Sequence, residues 1–263
     1  MEIYKNLFLV TIVLFMGCKK NDSPAETTGE VIPPVIDVGT KILVPVQLGT
    51  GKSKMVISYT EGLAVSKIEY GDGKSIVLTY TKDGKPFDLQ RYKNDVLVSY
   101  TSYSLDEKGR VKKGKTAVVK KDEYISTGYY ELKYNSDNQI TGIHNFDINN
   151  HQAGEQERWF NEAGNLSGEK AGIAGPALNY SYDLKNGLFK HVRYVWLLTI
   201  EKDNSLFLSG VNNIRFCNNP SAPEDEQNFS YEYNTDGYPD MITTTVREGK
   251  SSAKVIYREI KTN

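Results

Sequence analysis

A short pattern recurs along the chain and fixes where it reverses direction. In Tyr80-Thr-Lys-Asp-Gly84, Leu105-Asp-Glu-Lys-Gly109 and Tyr134-Asn-Ser-Asp-Asn138, a large apolar residue stands four places before Gly or Asn. The same spacing returns in Phe160-Asn-Glu-Ala-Gly164, Tyr182-Asp-Leu-Lys-Asn186 and Tyr233-Asn-Thr-Asp-Gly237. Two places further comes Pro86, Val111, Ile140, Leu166, Leu188 or Pro239. Each unit reads as a hairpin turn. The first residue ends a strand and packs inward, and the Asn or Asp caps the turn through its own side chain. Gly or Asn then takes the left-handed conformation that a tight reversal demands, and the later apolar residue re-enters the sheet.

Between the units the chain alternates as strands do. Ser75-Ile-Val-Leu-Thr-Tyr80, Tyr129-Tyr-Glu-Leu-Lys-Tyr134 and Phe229-Ser-Tyr-Glu-Tyr233 each put one set of side chains on a buried face and the other in solvent. The expected fold class is all-β: an antiparallel meander of hairpins forming a strongly twisted, coiled or partly closed sheet, because a flat sheet this long would expose its apolar face. A β-sandwich is the alternative. The best helical segment is short, near 204–211, around Leu206 and Phe207.

The N-terminus has the grammar of an export signal. Lys5 is followed by the apolar run Leu7 to Met16, then Gly17 and Cys18. A run of that length is too short to span a bilayer, which takes about 20 apolar residues. The Gly-Cys ending resembles a lipobox, with Phe15 where the general pattern prefers Leu. The resemblance implies diacylglycerol attachment at Cys18 and cleavage before it. Lys19, rather than an Asp, follows the cysteine, which under the same resemblance favours the outer membrane; whether the domain faces the periplasm or the surface stays open. Residues 1–17 then form the signal, 18–38 the lipidated cysteine with a Pro-, Thr- and Glu-rich tether, and 39–263 a single β-rich domain.

The turn units resemble the YD-type repeats of Rhs and teneurin-like proteins, over about residues 67–245, in degenerate and unevenly spaced form. The whole chain is similar to uncharacterised Bacteroides-type outer-membrane lipoproteins that carry such hairpins within a domain of unknown function. The stretches Gly210-Val-Asn-Asn-Ile-Arg-Phe-Cys-Asn-Asn-Pro220 and Tyr231-Glu-Tyr-Asn-Thr-Asp-Gly-Tyr-Pro239 carry most of that likeness. It implies a fold and an address, and no activity.

Catalytic chemistry finds little footing. Cys217 is the one thiol left once Cys18 is acylated, and none of His144, His151 and His191 is marked as its partner. His144 and His151 flank Asp147 at a spacing that suits no standard metal site, and Asp72 and Asp83 sit in Gly-containing turns where Asp caps backbone. Glu155 and Glu157 would share one strand face beside Arg158 and Trp159, yet an exposed strand edge explains them. No catalytic residue, metal or cofactor is expected. A net charge of −1 leaves no footprint for nucleic acid. The expected function is a non-catalytic envelope lipoprotein that binds a glycan, a peptide or a partner protein, with Trp159 and Trp196 as the candidate ligand platforms. A lipid-anchored glycan-active hydrolase and a purely structural shell are the alternatives.

Overall fold

The structure is a computed structural model that describes residues 42–172, 175, 177–201 and 204–260. Cys18, the signal and the tether lie outside the described residues. The first strands are β1 (Ile42–Leu48), β2 (Met55–Tyr59), β3 (Val65–Tyr70), β4 (Lys74–Tyr80), β5 (Pro86–Lys93) and β6 (Val96–Leu105). There follow β7 (Val111–Lys120), β8 (Glu123–Tyr134), β9 (Ile140–Phe146), β10 (Gln152–Phe160) and β11 (Leu166–Ala171). The last are β12 (Ala177–Tyr182), β13 (Ile214–Asn218), β14 (Gln227–Tyr233), β15 (Pro239–Val246) and β16 (Gly249–Ile260).

Every strand pairs antiparallel with its sequence neighbours, and β1 also pairs with β16, Ile42 opposite Ile260. The all-β antiparallel expectation is met, but the sheet is neither partly closed nor a sandwich. It closes completely into a sixteen-stranded barrel. Closure removes both edges and so leaves no unpaired row of backbone groups. Local alternation cannot reveal this, because the closing contact joins residues more than 200 positions apart.

The turn units work as their chemistry requires. In five of the six, the second residue donates its N–H to the carbonyl four places on and accepts that residue's N–H on its side chain. Asp106 does so with Arg110 at 2.8 and 2.9 Å, and Asn135 with Gln139 at 3.0 and 2.9 Å. Asn234 with Tyr238 is the same, at 2.9 and 3.0 Å. Gly84, Gly109, Asn138, Gly164 and Gly237 are left-handed as expected. Two further turns of this design escaped the pattern: Thr60 with Ala64, and Asp147 with His151.

Tyr182-Asp-Leu-Lys-Asn186 departs from the expectation. Asn186 is not left-handed, and Leu188 does not re-enter the sheet. Here Asp183 closes its turn with Asn213 instead, through N–H to carbonyl at 3.0 Å and the return bond at 3.2 Å, and Ile214 re-enters. The chain between Asn186 and Asn213 is an insertion into an otherwise ordinary turn.

That insertion fills the barrel. Sixteen strands enclose more space than their own side chains occupy. The inward residues Ile57, Ile68, Leu78, Leu89, Leu132, Ile143, Phe229 and Ile242 form one apolar cluster with Leu188, Phe189, Leu197, Leu198 and Phe207 of the insertion. The insertion holds a short helix α1 (Trp196–Ile200) and a 3-10 turn at Ser205–Leu208; the latter falls inside the segment expected to be helical. Reciprocal amide bonds between Asn165 and Asn212, of 2.9 and 3.0 Å, tie its stem to the β10–β11 turn.

The outer face is polar. Lys67 and Glu69 on β3, Lys113 on β7, Glu131 and Lys133 on β8, Glu157 on β10, Glu232 on β14 and Lys254 on β16 all alternate with inward residues.

Candidate functional site

Alternation along β10 sends Gln156 and Arg158 into the lumen and Glu155, Glu157 and Trp159 outward. Two environments result, separated by the thickness of one sheet.

On the inside, Arg158 opposes Glu169 of β11, its Nε 3.1 Å from the carboxylate, both side chains more than nine-tenths buried. Its terminal nitrogens reach the Thr199 hydroxyl at 3.3 Å and carbonyl at 3.4 Å at the end of α1. Arg91 of β5 lies 3.1 Å from Glu201, which also accepts from the Tyr130 hydroxyl at 3.0 Å. Burial pushes the Tyr130 phenol far above its ordinary range, with the Glu201 carboxylate adding to it. It therefore stays a neutral donor. These two ion pairs hold the tip of the insertion against the wall. Each charge has its opposite beside it, so the cluster is a fastening rather than a vacant binding site.

On the outside, Trp159 opposes Gly168 of β11 and is 38% exposed. The indole lies so close over Gly168 that a β-carbon there would stand 2.4 Å from the ring. Beside it, Asp137, Gln139, Thr141 and Glu162 help to line an open depression of about 480 Å³. The Asn135 side-chain amide donates to Gln139 Oε1 at 2.8 Å and so fixes which way the Gln139 amide faces. A second depression of about 460 Å³ surrounds Asp106, Arg110, Lys112 and Tyr134. Its arginine is already committed: it pairs with Asp106 at 2.7 Å and lies 4.3 Å from the Tyr134 ring centre.

Trp196, the other candidate platform, sits in the insertion at the start of α1 and packs against the core. Glu155 and Glu157 do share the outer face, with Glu157 opposite Gly142. Cys217 faces the lumen beside Tyr180, and burial raises its thiol to about 11. His191 bonds the Tyr238 hydroxyl at 2.8 Å, while His151 lies 3.4 Å from Asp147 in an exposed turn. The polar residues beside Trp159 were legible only as turn formers. What points to them is that Asn138 and Gly164 place two successive turns next to each other on the same rim.

No protein-family model matches the chain, and no curated protein does. Among solved structures it is similar to a porin-like protein from Bacteroides uniformis. That match has 10% identity and a TM-score of 0.50, over 84% of this chain and 97% of that one. Weaker alignments run to TcdB2-TccC3-TEV, at TM-score 0.23, 10% identity, 74% of this chain and 12% of that one. Another runs to the Photorhabdus luminescens Tc holotoxin pore, at TM-score 0.21, 11% identity, 76% and 9%. The first likeness is one of fold, and the other two carry no argument.

Proposed function

We propose that this chain is a lipid-anchored envelope protein of the outer membrane whose filled barrel serves as a non-catalytic binding or accessory module. The observation that carries the reading is the distribution of charge. A barrel that spans a bilayer turns apolar residues outward and polar ones to its lumen, and Lys or Arg at mid-membrane depth on the outer face costs about 2–4 kcal/mol. Here the outer face bears lysines and glutamates on strand after strand, while the lumen is packed with Leu, Ile, Val and Phe. Such a body needs an anchor to stay at a membrane, and Gly17-Cys18 supplies the chemistry for one. A kinship of the turn units with YD-type hairpins belongs to the same proposal and is supported by their shared side-chain capping.

Mass spectrometry of the membrane fraction tests the anchor. A diacylglyceryl-modified N-terminal peptide beginning at Cys18 is expected, and Cys18→Ser should release the protein into the soluble fraction. An unmodified peptide carrying residues 1–17, or a Cys18→Ser protein that remains membrane-integral, would sink the anchored reading. Planar-bilayer recordings test the rest: no stepwise conductance is expected, and stable single-channel openings would contradict a filled, non-spanning barrel.

A further inference from the structure

The sheet carries two glycine–aromatic pairs of the same construction, one on each face. On the inside, Gly114 of β7 opposes Tyr130 of β8, and a β-carbon at Gly114 would stand 2.4 Å from Tyr130 Cζ. On the outside, Gly168 opposes Trp159 with the same 2.4 Å approach. A glycine inside a strand weakens it, and a close approach by a neighbouring group is one reason to keep it. For Tyr130, 5% exposed, core packing accounts for the pair. For Trp159 it does not, because the indole remains open to solvent. Two other aromatics of this outer face are covered: Lys113 Nζ lies 3.5 Å from the Tyr129 ring centre, and Phe146 stacks on Tyr129 at 4.7 Å. Among the described residues no ring or cation covers Trp159.

We infer that the depression beside Trp159 is a carbohydrate-binding site that takes a neutral pyranose unit of a glycan chain. The inference rests on the binding-module reading above and names its ligand. An indole held against the sheet offers an apolar platform to the C–H face of a sugar ring. Around it stand the groups that sugar hydroxyls need. Asp137 and Glu162 accept from hydroxyls, and Gln139 Nε2 donates. Gln139 is set in advance, since Asn135 holds its Oε1, so less freedom is lost on binding. Charge decides the class. The rim presents two carboxylates, while Arg158 is turned into the lumen against Glu169 and Arg110, which reaches the same turn, is held by Asp106 and by Asn138 Oδ1 at 2.9 Å. With both guanidinium groups committed elsewhere, the free charges of the rim are negative and favour a neutral unit over phosphate or uronate. The depression is open along the surface, which suits an internal unit of a chain better than an enclosed monosaccharide.

Fluorescence titration of the full chain, purified in detergent, tests this with maltohexaose, cellohexaose, xylohexaose and mannohexaose, and with polygalacturonate as the acidic comparator. Trp159 and Trp196 are the sole tryptophans, so a Trp196→Phe background reports Trp159 alone. At least one neutral chain should shift the emission saturably, and Trp159→Ala should weaken retention on a glycan array by about tenfold or more with an unchanged circular dichroism spectrum. If Trp159→Ala does not fold, Gln139→Ala and Glu162→Gln, both at surface positions, should each lower affinity several-fold. The inference is overturned if none of the neutral saccharides shifts the emission, if only polygalacturonate binds, or if binding survives Trp159→Ala undiminished. Capture of a protein by the intact chain that Trp159→Ala leaves unchanged, without saccharide binding, would overturn this site while leaving a binding module in place.

Discussion

The hydroxyl of Tyr134 donates to the carbonyl of Val111, 2.7 Å away on the neighbouring strand. Val111 is the residue that re-enters the sheet after its turn, and the register shifts there, so its carbonyl stands at a bulge where the ladder is locally disrupted. The same bond recurs around the rim. Tyr59 donates to Pro45, Tyr80 to Val65, Tyr182 to Leu166, Tyr231 to Ile214 and Tyr257 to Pro239. Tyrosines at or near the repeat position thus stitch alternate strands to their predecessors, although in the last unit Tyr231 makes the bond and Tyr233 turns to Asp183.

Tyr134→Phe should lower stability by about 1 kcal/mol, the net value of a partly buried hydrogen bond. In a domain of this size that is a fall in Tm of about 2–4 °C by calorimetry. Phe160 and Leu105 occupy the same place without a hydroxyl. Phe160→Tyr should therefore raise Tm, by adding a donor opposite Ile140. An unchanged or lower Tm would mean that the Ile140 carbonyl has no use for one.

Asp106 gives the acid response a definite sign. Desolvation opposes its ionisation, but backbone and side-chain hydrogen bonds from Arg110, with its charge, outweigh that and hold the carboxyl below its ordinary value. A depressed folded pKa contributes stability that is present above the unfolded value of about 3.9 and is lost as pH falls through the lower folded value. Asp106→Asn keeps the turn, since Asn135, Asn161 and Asn234 do the same work at equivalent places. The variant should lose less stability than the parent between about pH 4 and pH 2. Parallel acid limbs in urea titrations across that range would refute the assignment.

Arg158 and Glu169 are each other's counter-charge in a dry wall. Glu169→Ala leaves a buried guanidinium facing only Thr199 and should cost about 3–5 kcal/mol. Replacing both, as Arg158→Met with Glu169→Leu, should recover most of that loss, because a well-packed apolar pair often equals a buried ion pair. Denaturant midpoints of the two variants make the comparison. Equal losses would show that packing, not charge pairing, sets the cost.

How much of this was written in the sequence depends on the range of the interaction. The turns were legible because Asp106 and Arg110, or Asn135 and Gln139, complete their chemistry within five residues. The outward placement of Trp159 was implicit in the alternation of Gln156, Arg158 and Phe160. Closure was not legible, since Ile42 meets Ile260 only after fourteen intervening strands are in place. The half-buried place of Trp196 was hidden for a different reason. It lies in an insertion whose two ends, Asp183 and Asn213, carry the halves of one turn, so the repeat looked complete at Asn186.

Removing residues 187–212 should test that division. The deletion would join Asn186 to Asn213 and give Tyr182-Asp-Leu-Lys-Asn-Asn-Ile, which has the pattern of Tyr134-Asn-Ser-Asp-Asn-Gln-Ile140. Asp183 already holds both hydrogen bonds to Asn213 that such a turn requires, so the β12–β13 hairpin should close once Asn186 takes the left-handed conformation of Asn138. The lumen would nevertheless lose Leu188, Phe189, Leu197, Leu198 and Phe207, all buried, and Arg91 and Arg158 would lose partners on the insertion. Cavities on this scale cost far more than the few kcal/mol by which domains are stable. The expected product keeps a β-rich far-ultraviolet spectrum, binds a hydrophobic dye and melts without a cooperative transition, as a compact state that has lost its packing does. Full loss of the β signal would mean the turn cannot reform. A cooperative melt at the parent temperature would mean that the insertion contributes nothing to the core.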